Sequence, residues 1–335
     1  MSYTPAPSRY DAMAYPHSGK SGLRLPLLTL GLWHNFGENC DYANMTALCT
    51  TAFDLGVTHF DLANNYGPPY GSAETSFGRI LKDTLGPYRD ELCISTKAGY
   101  DMWPGPYGNF GSKKYLTASL DQSLRRMGLE YVDIFYHHRP DPDTPLEETM
   151  DALLCAVRSG KALYAGISNY GRERSAQALS IAERIGLPLI INQRRYSILD
   201  RSIEQDGLLD WAKDNGMGII CFSPLAQGML STKYLHGIPA DSRAAADGRY
   251  LRPEMIRPEK RTSIAALNEI AQARGETLPQ MALAWLLNRP AVTSVLIGAS
   301  RPEQIRENVQ GVLSAKPFTQ EELDAIDAIS PGPKN

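Results

Sequence analysis

The sequence predicts one (β/α)8 barrel domain over residues 1–335, with the barrel proper covering about residues 25–312, on three observations. Eight short apolar runs alternate with longer segments at intervals of roughly 25 to 40 residues. The longer segments carry the i, i+3, i+4 apolar spacing of helices that bury one face. No G-x-G-x-x-G turn follows the first run, as a doubly wound sheet holding a dinucleotide would require.

Taken in order, Tyr10–Leu25, with Ser18-Gly19-Lys20-Ser21-Gly22 at its centre, is expected to form a hairpin that closes the barrel bottom. Strands are expected at Leu27–Leu30, Val57–Leu62, Leu92–Thr96, Val132–Tyr136, Ala162–Ile167, Leu189–Ile191, Gly218–Phe222 and Ser294–Ile297. Helical segments lie between them, among them Tyr115–Met127 and Leu146–Val157. Thr144-Pro145-Leu146-Glu147-Glu148 offers an N-cap, a proline at the first helical position and an acidic first turn. Ser300-Arg301-Pro302-Glu303 has the form of a capping box. One interval breaks the rhythm. Between Phe222 and Ser294 a long loop after strand seven, about Ala226 to Arg257, reads as a mobile lid followed by two helices. Thr319–Ile329 adds a C-terminal helix beyond the barrel.

Composition narrows the function classes. With 43% hydrophobic and 21% charged residues the chain has the make-up of a globular enzyme. A net charge of -3 gives no electrostatic footprint for nucleic acid, and no apolar run is long enough to span a bilayer. Met1 to Arg9 lacks the apolar core of a signal peptide, and Cys40, Cys49, Cys93, Cys155 and Cys221 form no C-x-x-C pair, so a cytoplasmic setting is expected.

Barrel chemistry gathers where strands run out into the following loops. Those positions hold Asp61 after strand two, Tyr66 five residues on, Lys97 after strand three and His138 after strand four. Each has a plainer explanation alone: a capping Asp, a solvated Lys, a satisfied rim His, a packed Tyr. Together they supply what carbonyl reduction needs, since a proton must follow the hydride as charge builds on oxygen. A free phenol has a pKa near 10, and bringing it to about 7.5 takes about 3–4 kcal/mol of differential stabilisation. A Lys ammonium held by a carboxylate acts in that direction. Tyr66 is therefore assigned as general acid, Lys97 as its activator, Asp61 as the anchor of Lys97, and His138 as the donor that orients the carbonyl.

Asp61-x-Ala63-x-x-Tyr66-Gly67, Ile94-Ser95-Thr96-Lys97 and Asp133-Ile134-Phe135-Tyr136-His137-His138-Arg139 resemble the aldo-keto reductases, in the family's order, and the resemblance runs from Gly31 to about Asn308. Of the two adjacent histidines, His138 is the match; His137 departs from the family pattern beside the expected pocket. The resemblance implies NADP(H) extended across the barrel mouth. Gly31 and Trp33 follow strand one, Ser168, Asn169 and Gln193 match the partners of the nicotinamide amide, and Phe222 either stacks on the ring or belongs to the barrel core. Ser223, Pro224, Leu225, Gly228 and Lys233 match the pyrophosphate loop, while Gly298, Ser300, Arg301, Gln304, Glu307 and Asn308 match the adenosine end. Ser300 either bonds there or caps the helix, and Gly298 stands where many members carry a lysine.

Trp33 and Trp103 are candidate pocket walls beside Tyr66 and His138, and Arg139 either binds an anionic substrate group or pairs with Asp141 or Asp143. Asn65-Tyr66-Gly67-Pro68-Pro69 and the run Ser95 to Gly108 narrow the resemblance to the bacterial L-glyceraldehyde 3-phosphate reductases, which are similar to potassium-channel β subunits. This implies small aldehydes such as glyceraldehyde 3-phosphate or methylglyoxal, and a homo-oligomer, tetramer or octamer. Two rivals remain open. One is a β-subunit-like protein whose cofactor senses redox state for a partner. The other is a metal-dependent barrel enzyme, for which the six histidines, including His59 on strand two, show no H-x-H or H-x-x-E spacing.

Overall fold

A computed structural model describes residues 3–235, 237–238, 252, 254 and 256–332. Its eight strands are β1 (Leu28–Gly31), β2 (His59–Asp61), β3 (Cys93–Ala98), β4 (Val132–His137), β5 (Ala162–Ser168), β6 (Leu189–Arg195), β7 (Gly218–Phe222) and β8 (Val292–Ile297). They form a closed parallel barrel in sequence order, β8 pairing back onto β1 through Leu28↔Val295 and Leu30↔Ile297. Closure leaves no sheet edge, and the helices between strands cover its outer face, giving the (β/α)8 architecture.

Because side chains alternate along a strand, each β strand feeds two cores. Outward residues such as Leu28, Leu30, Phe60 and Phe135 join helix residues Leu48, Phe53, Phe77, Leu120 and Leu153 in the main hydrophobic core. Each such side chain, when fully buried, contributes about 1.5–3 kcal/mol. Inside, Leu25, Cys93, Ile134, Tyr136, Ile191 and Ile220 pack together. The rest of the interior is polar, with Thr29, His59, Asp61, Ser95, Lys97 and Ser294 all fully buried. This explains two shifts from the sequence reading. Lys97 lies within β3 and Gln193 within β6, not beyond them, because these strands continue past their apolar runs into a polar interior.

The amino-terminal hairpin starts later than expected, at Ala14 in place of Tyr10. It pairs through the His17↔Arg24 bridge and the Ser18 N to Leu23 O, Leu25 N to Pro16 O and Leu27 N to Ala14 O bonds (2.8, 3.0 and 3.2 Å). It does close the barrel bottom: Lys20 N donates to Gly216 O (2.9 Å) and Ser18 Oγ to Ile190 O (3.2 Å), both at the amino ends of strands. Gly19 is required there, since a Cβ would sit 2.0 Å from Gly216 O.

Helices Lys113–Met127 and Leu146–Arg158 stand where the periodicity puts them, as do the two helices after β7, Pro258–Arg274 and Leu278–Leu287. Two expected caps do not form. Pro145, not Thr144, is the N-cap of the helix at Leu146, without a side-chain bond. The amides of Asp143 and Thr144 instead go to Asp141 Oδ1 (2.8 and 3.1 Å). Ser300 is likewise not an N-cap: Pro302 at N1 puts Arg301 there, and Gln304 Oε1 accepts from both Ser300 N and Oγ (2.8 and 3.2 Å). Capping boxes occur instead at Thr277/Gln280 and at Thr319/Glu322, the latter starting the C-terminal helix Gln320–Ile329. Of the expected lid, residues 226–235 include two short 3-10 turns, Ala226–Gly228 and Thr232–Tyr234; most of the remainder lies outside the described residues.

Candidate active site

The strand register brings the acid, the base and the phenol together. Asp61 ends β2 and pairs across to Ser95, and Lys97 follows one inward position further along β3. Lys97 Nζ donates to Asp61 Oδ2 (2.5 Å) and Leu62 O (2.6 Å), and lies 3.4 Å from Tyr66 Oη. An ammonium has three donors and no acceptor, so with Lys97 charged all three N–H groups are used and Tyr66 Oη is an acceptor. Asp61 Oδ1 accepts from Ser95 Oγ (2.7 Å) and Gln193 Nε2 (3.1 Å). Burial pushes Lys97 below its ordinary pKa, opposed by the charge and hydrogen bond of Asp61.

His138 follows β4, its ring edge-on to Tyr66 at 5.9 Å between centroids. Burial first, then the charge of Lys97, holds it well below the usual imidazole range, so it is neutral. Its Nδ1 is buried without a hydrogen-bond partner among the described residues. A buried bare nitrogen costs less than a buried unpaired N–H, which favours the proton on Nε2. Trp33 stands 6.0 Å from Tyr66 and forms one side of the mouth. Trp103, in contrast, leans on Tyr115 of the helix below (5.2 Å), and the ring packed against His138 is that of Tyr100 (4.7 Å).

Arg139 makes neither of its anticipated ion pairs. Its guanidinium lies between the Tyr100 and Phe110 rings (4.3 Å to each centroid), bonded to Gly99 O (2.9 Å) and Asn109 Oδ1 (2.8 Å). Asp141 is occupied by backbone amides, including Gly111 N (2.9 Å). Arg139 thus pins the loop after β3 over the mouth. His137 is not beside the pocket: it points out of the barrel, with Nδ1 2.7 Å from Tyr170 Oη and its ring against Gly111.

Burial pushes both His137 and His59 down to about 4. An unfolded histidine titrates near 6.5, so in this window the unfolded chain binds more protons and stability is lost as pH falls. Between about pH 6.5 and 4 each of these two is expected to remove about 3 kcal/mol. Thermal unfolding followed down that range checks this; a melting temperature flat to pH 4 would contradict it.

The positions that the sequence reading gives to a cofactor ring the same mouth. Ser168 ends β5 and Phe222 ends β7, half-buried. Asn169 and Ser223 follow these strands with left-handed backbone (φ 64° and 54°). Asn169 Nδ2 donates to His138 O (2.9 Å) and Ser168 Oγ to Gln193 O (3.1 Å). The side-chain oxygens of Asn169 and Gln193 are left over as acceptors for an amide N–H, so the donor set suits a carboxamide. Pro224, Leu225 and Gly228 form the tight turn after Ser223, closed by Gly228 N to Leu225 O (2.8 Å), and Lys233 follows it. A side chain at Gly31 would strike Leu296 at 2.4 Å, so this glycine serves packing whatever else it does. Across the mouth, Gly298 borders open space and Arg301 and Glu307 are exposed at the helix Pro302–Leu313, with Asn308 buried one residue on. Asn35 and Asn44, which the sequence reading missed, hold this loop by bonds to Ala299 O (2.7 Å) and Ser300 O (3.0 Å).

Among the described residues no helix is long and apolar enough to cross a membrane. The family model of the aldo/keto reductases matches residues 27–331. The chain is 58% identical over 324 residues, 96% of its length and 93% of the relative's, to an Escherichia coli (strain K12) protein named L-glyceraldehyde 3-phosphate reductase. It is 35% identical over 322 residues to a probable voltage-gated potassium channel subunit beta of Oryza sativa subsp. japonica, covering 95% of this chain and 96% of the relative. A comparable likeness, 36% over 317 residues, links it to a putative subunit of that kind in Schizosaccharomyces pombe, with 93% and 91% covered. The chain therefore belongs to the aldo/keto reductase family and is an oxidoreductase that acts on carbonyls.

Proposed function

We propose that the chain reduces small aldehydes with NADP(H), with L-glyceraldehyde 3-phosphate as the first substrate to consider and methylglyoxal as the second. The observation that carries the proposal is the buried Lys97, whose hydrogen bonds to Asp61 and Leu62 O leave it facing Tyr66. The cofactor, when bound, supplies the hydride. His138 holds the carbonyl oxygen through Nε2–H, and Tyr66 gives that oxygen its proton as negative charge develops. Lys97 then neutralises the phenolate left behind, and Asp61 holds Lys97. Trp33 and Tyr100 shape the pocket, while Arg139 sets the height of the loop above it.

Cofactor binding is proposed on the donor set described above. Ser168, Asn169 and Gln193 take the nicotinamide amide, Phe222 backs the ring, Ser223 to Gly228 and Lys233 take the pyrophosphate, and Gly298, Ser300, Arg301, Gln304, Glu307 and Asn308 surround the adenosine end. The amino terminus of the helix Pro302–Leu313 and the exposed Arg301 favour a phosphate there. We also place the protein in the cytoplasm as a homo-oligomer, tetramer or octamer; its five free thiols suit a reducing compartment.

Steady-state turnover of glyceraldehyde 3-phosphate and methylglyoxal, each with NADPH and NADH, tests this reading. NADPH is expected to exceed NADH in kcat/KM by about tenfold or more, as one charge-assisted phosphate–arginine contact provides. The likeness to potassium-channel β subunits supports a second reading, a cofactor-holding redox sensor. Tight NADPH binding with slow turnover of every aldehyde would favour it.

A further inference from the structure

The polar interior of the barrel holds a hydrogen-bonded chain that reaches Asp61 from below. Ser294 Oγ lies 2.8 Å from Thr29 Oγ1, which lies 3.0 Å from His59 Nδ1; His59 Nε2 lies 2.9 Å from Ser95 Oγ, which lies 2.7 Å from Asp61 Oδ1. All five side chains are fully buried. We infer that His59 and Ser95 are positioning residues that keep Asp61 ionised and Lys97 charged, so that Tyr66 receives a hydrogen bond from Lys97 and directs its own proton to substrate. This rests on the reductase reading above.

The proton assignment follows from the acceptor count. Ionised Asp61 only accepts, so Ser95 Oγ–H must donate to it. Ser95 then has lone pairs alone for His59, which must donate from Nε2–H. A neutral imidazole has one N–H, so Nδ1 is bare and accepts from Thr29 Oγ1–H, which in turn accepts from Ser294. Reversing the chain would make Ser95 donate to His59 and would face its lone pairs to Asp61 at 2.7 Å. Only one direction is therefore compatible with an ionised Asp61. Burial keeps His59 neutral, as the chain requires.

The charge on Lys97 decides which way the Tyr66 contact runs. A neutral Lys97 would accept the Tyr66 proton and withdraw it from the mouth. Beyond Asp61, the groups around Lys97 are Glu74 on the helix Ser72–Ile80, whose charge supports the ammonium, and neutral His138. Tyr136 on β4 places its ring 5.7 Å from Lys97 Nζ and, like Cys93 on β3, is held neutral by burial. Glu74 is itself paired with Arg126 (2.7 Å). Within the interior, the donors to Asp61 other than Lys97 are thus Ser95 and Gln193. Without Ser95 the carboxylate becomes more basic, so the proton of the pair shifts from Lys97 toward Asp61 and leaves the pair only at higher pH.

Ser95→Ala tests this with little change in volume. Its kcat for aldehyde reduction is expected to fall about tenfold or more, as for one lost hydrogen bond to a charged group, with KM little changed. The alkaline limb of its kcat profile is expected to move up by about one pH unit, since one pH unit corresponds to that same tenfold change. A merely structural role would lower stability and leave the limb in place, and an unmoved limb in a folded variant overturns the inference. Nitrogen-15 NMR of wild-type His59 is the second measurement and needs no variant. A neutral Nε2–H tautomer from about pH 5 to about pH 8 is expected; an Nδ1–H tautomer or an imidazolium overturns the inference. If wild-type protein reduces no aldehyde, the reductase reading fails by itself, and the tautomer still decides whether the chain points at Asp61.

Discussion

Tyr66→Phe is expected to reduce kcat for aldehyde reduction by about a hundred- to ten-thousandfold, the range that general acid catalysis supplies. The substitution removes one oxygen and leaves the ring, so its contacts with Trp33 and His138 remain. Lys97 keeps its bonds to Asp61 and Leu62 O and the fold is unchanged. NADPH affinity should therefore match the wild type, while no donor remains beside the carbonyl oxygen except neutral His138. Steady-state rates with a fluorescence titration of NADPH check both halves. A loss of less than tenfold would remove Tyr66 from the role of acid.

Asp61→Asn has the larger effect on the protein itself. Removing one partner from a buried ion pair leaves an uncompensated charge, at a cost of about 3–5 kcal/mol. Lys97 has no exposure at all, so solvent does not share its charge. The neighbouring bonds sharpen the outcome: an Asn amide nitrogen at either former oxygen meets Lys97 on one side or Ser95 and Gln193 on the other. Lys97 discharges, and the variant should be both less stable and nearly inactive. Replacing Lys97 by Met in the same chain removes the stranded charge, so the double variant should regain most of the lost stability and none of the activity. Denaturant unfolding of the two proteins, with their rates, separates these effects. A double variant no more stable than Asp61→Asn alone would show that the stranded charge was not the cause.

The strand count, the order of the barrel and the placement of Asp61, Tyr66, Lys97 and His138 at one edge were legible because they follow from local rules: apolar runs, helical spacing and the polar residues next in line. What was illegible was what the barrel interior does to those rules. By its sequence an apolar run ends at the first polar residue, yet β3 and β6 carry Lys97 and Gln193 inside the sheet because polar side chains there find one another. Local proximity also misled. Arg139 has Asp141 two residues away but goes to Tyr100, Asn109 and Phe110 across the loop. His59 looked solitary because its network is assembled from distant stretches; Thr29 and Ser294 are 265 residues apart in sequence. The T-x-x-Q and T-x-x-E patterns at Thr277 and Thr319 form the capping boxes that the rule describes, whereas Ser300 satisfies the same pattern without taking the cap.

The decisive measurement is transfer of label from NADPH deuterated at the nicotinamide C4 to L-glyceraldehyde 3-phosphate, read by mass spectrometry of the product. If the barrel mouth reduces the aldehyde as argued, the product is the corresponding alcohol with one deuterium on the former aldehyde carbon. Its yield should match the NADPH consumed, and Tyr66→Phe should suppress both together. Alcohol without deuterium, or NADPH consumed without alcohol, would contradict hydride transfer at this site.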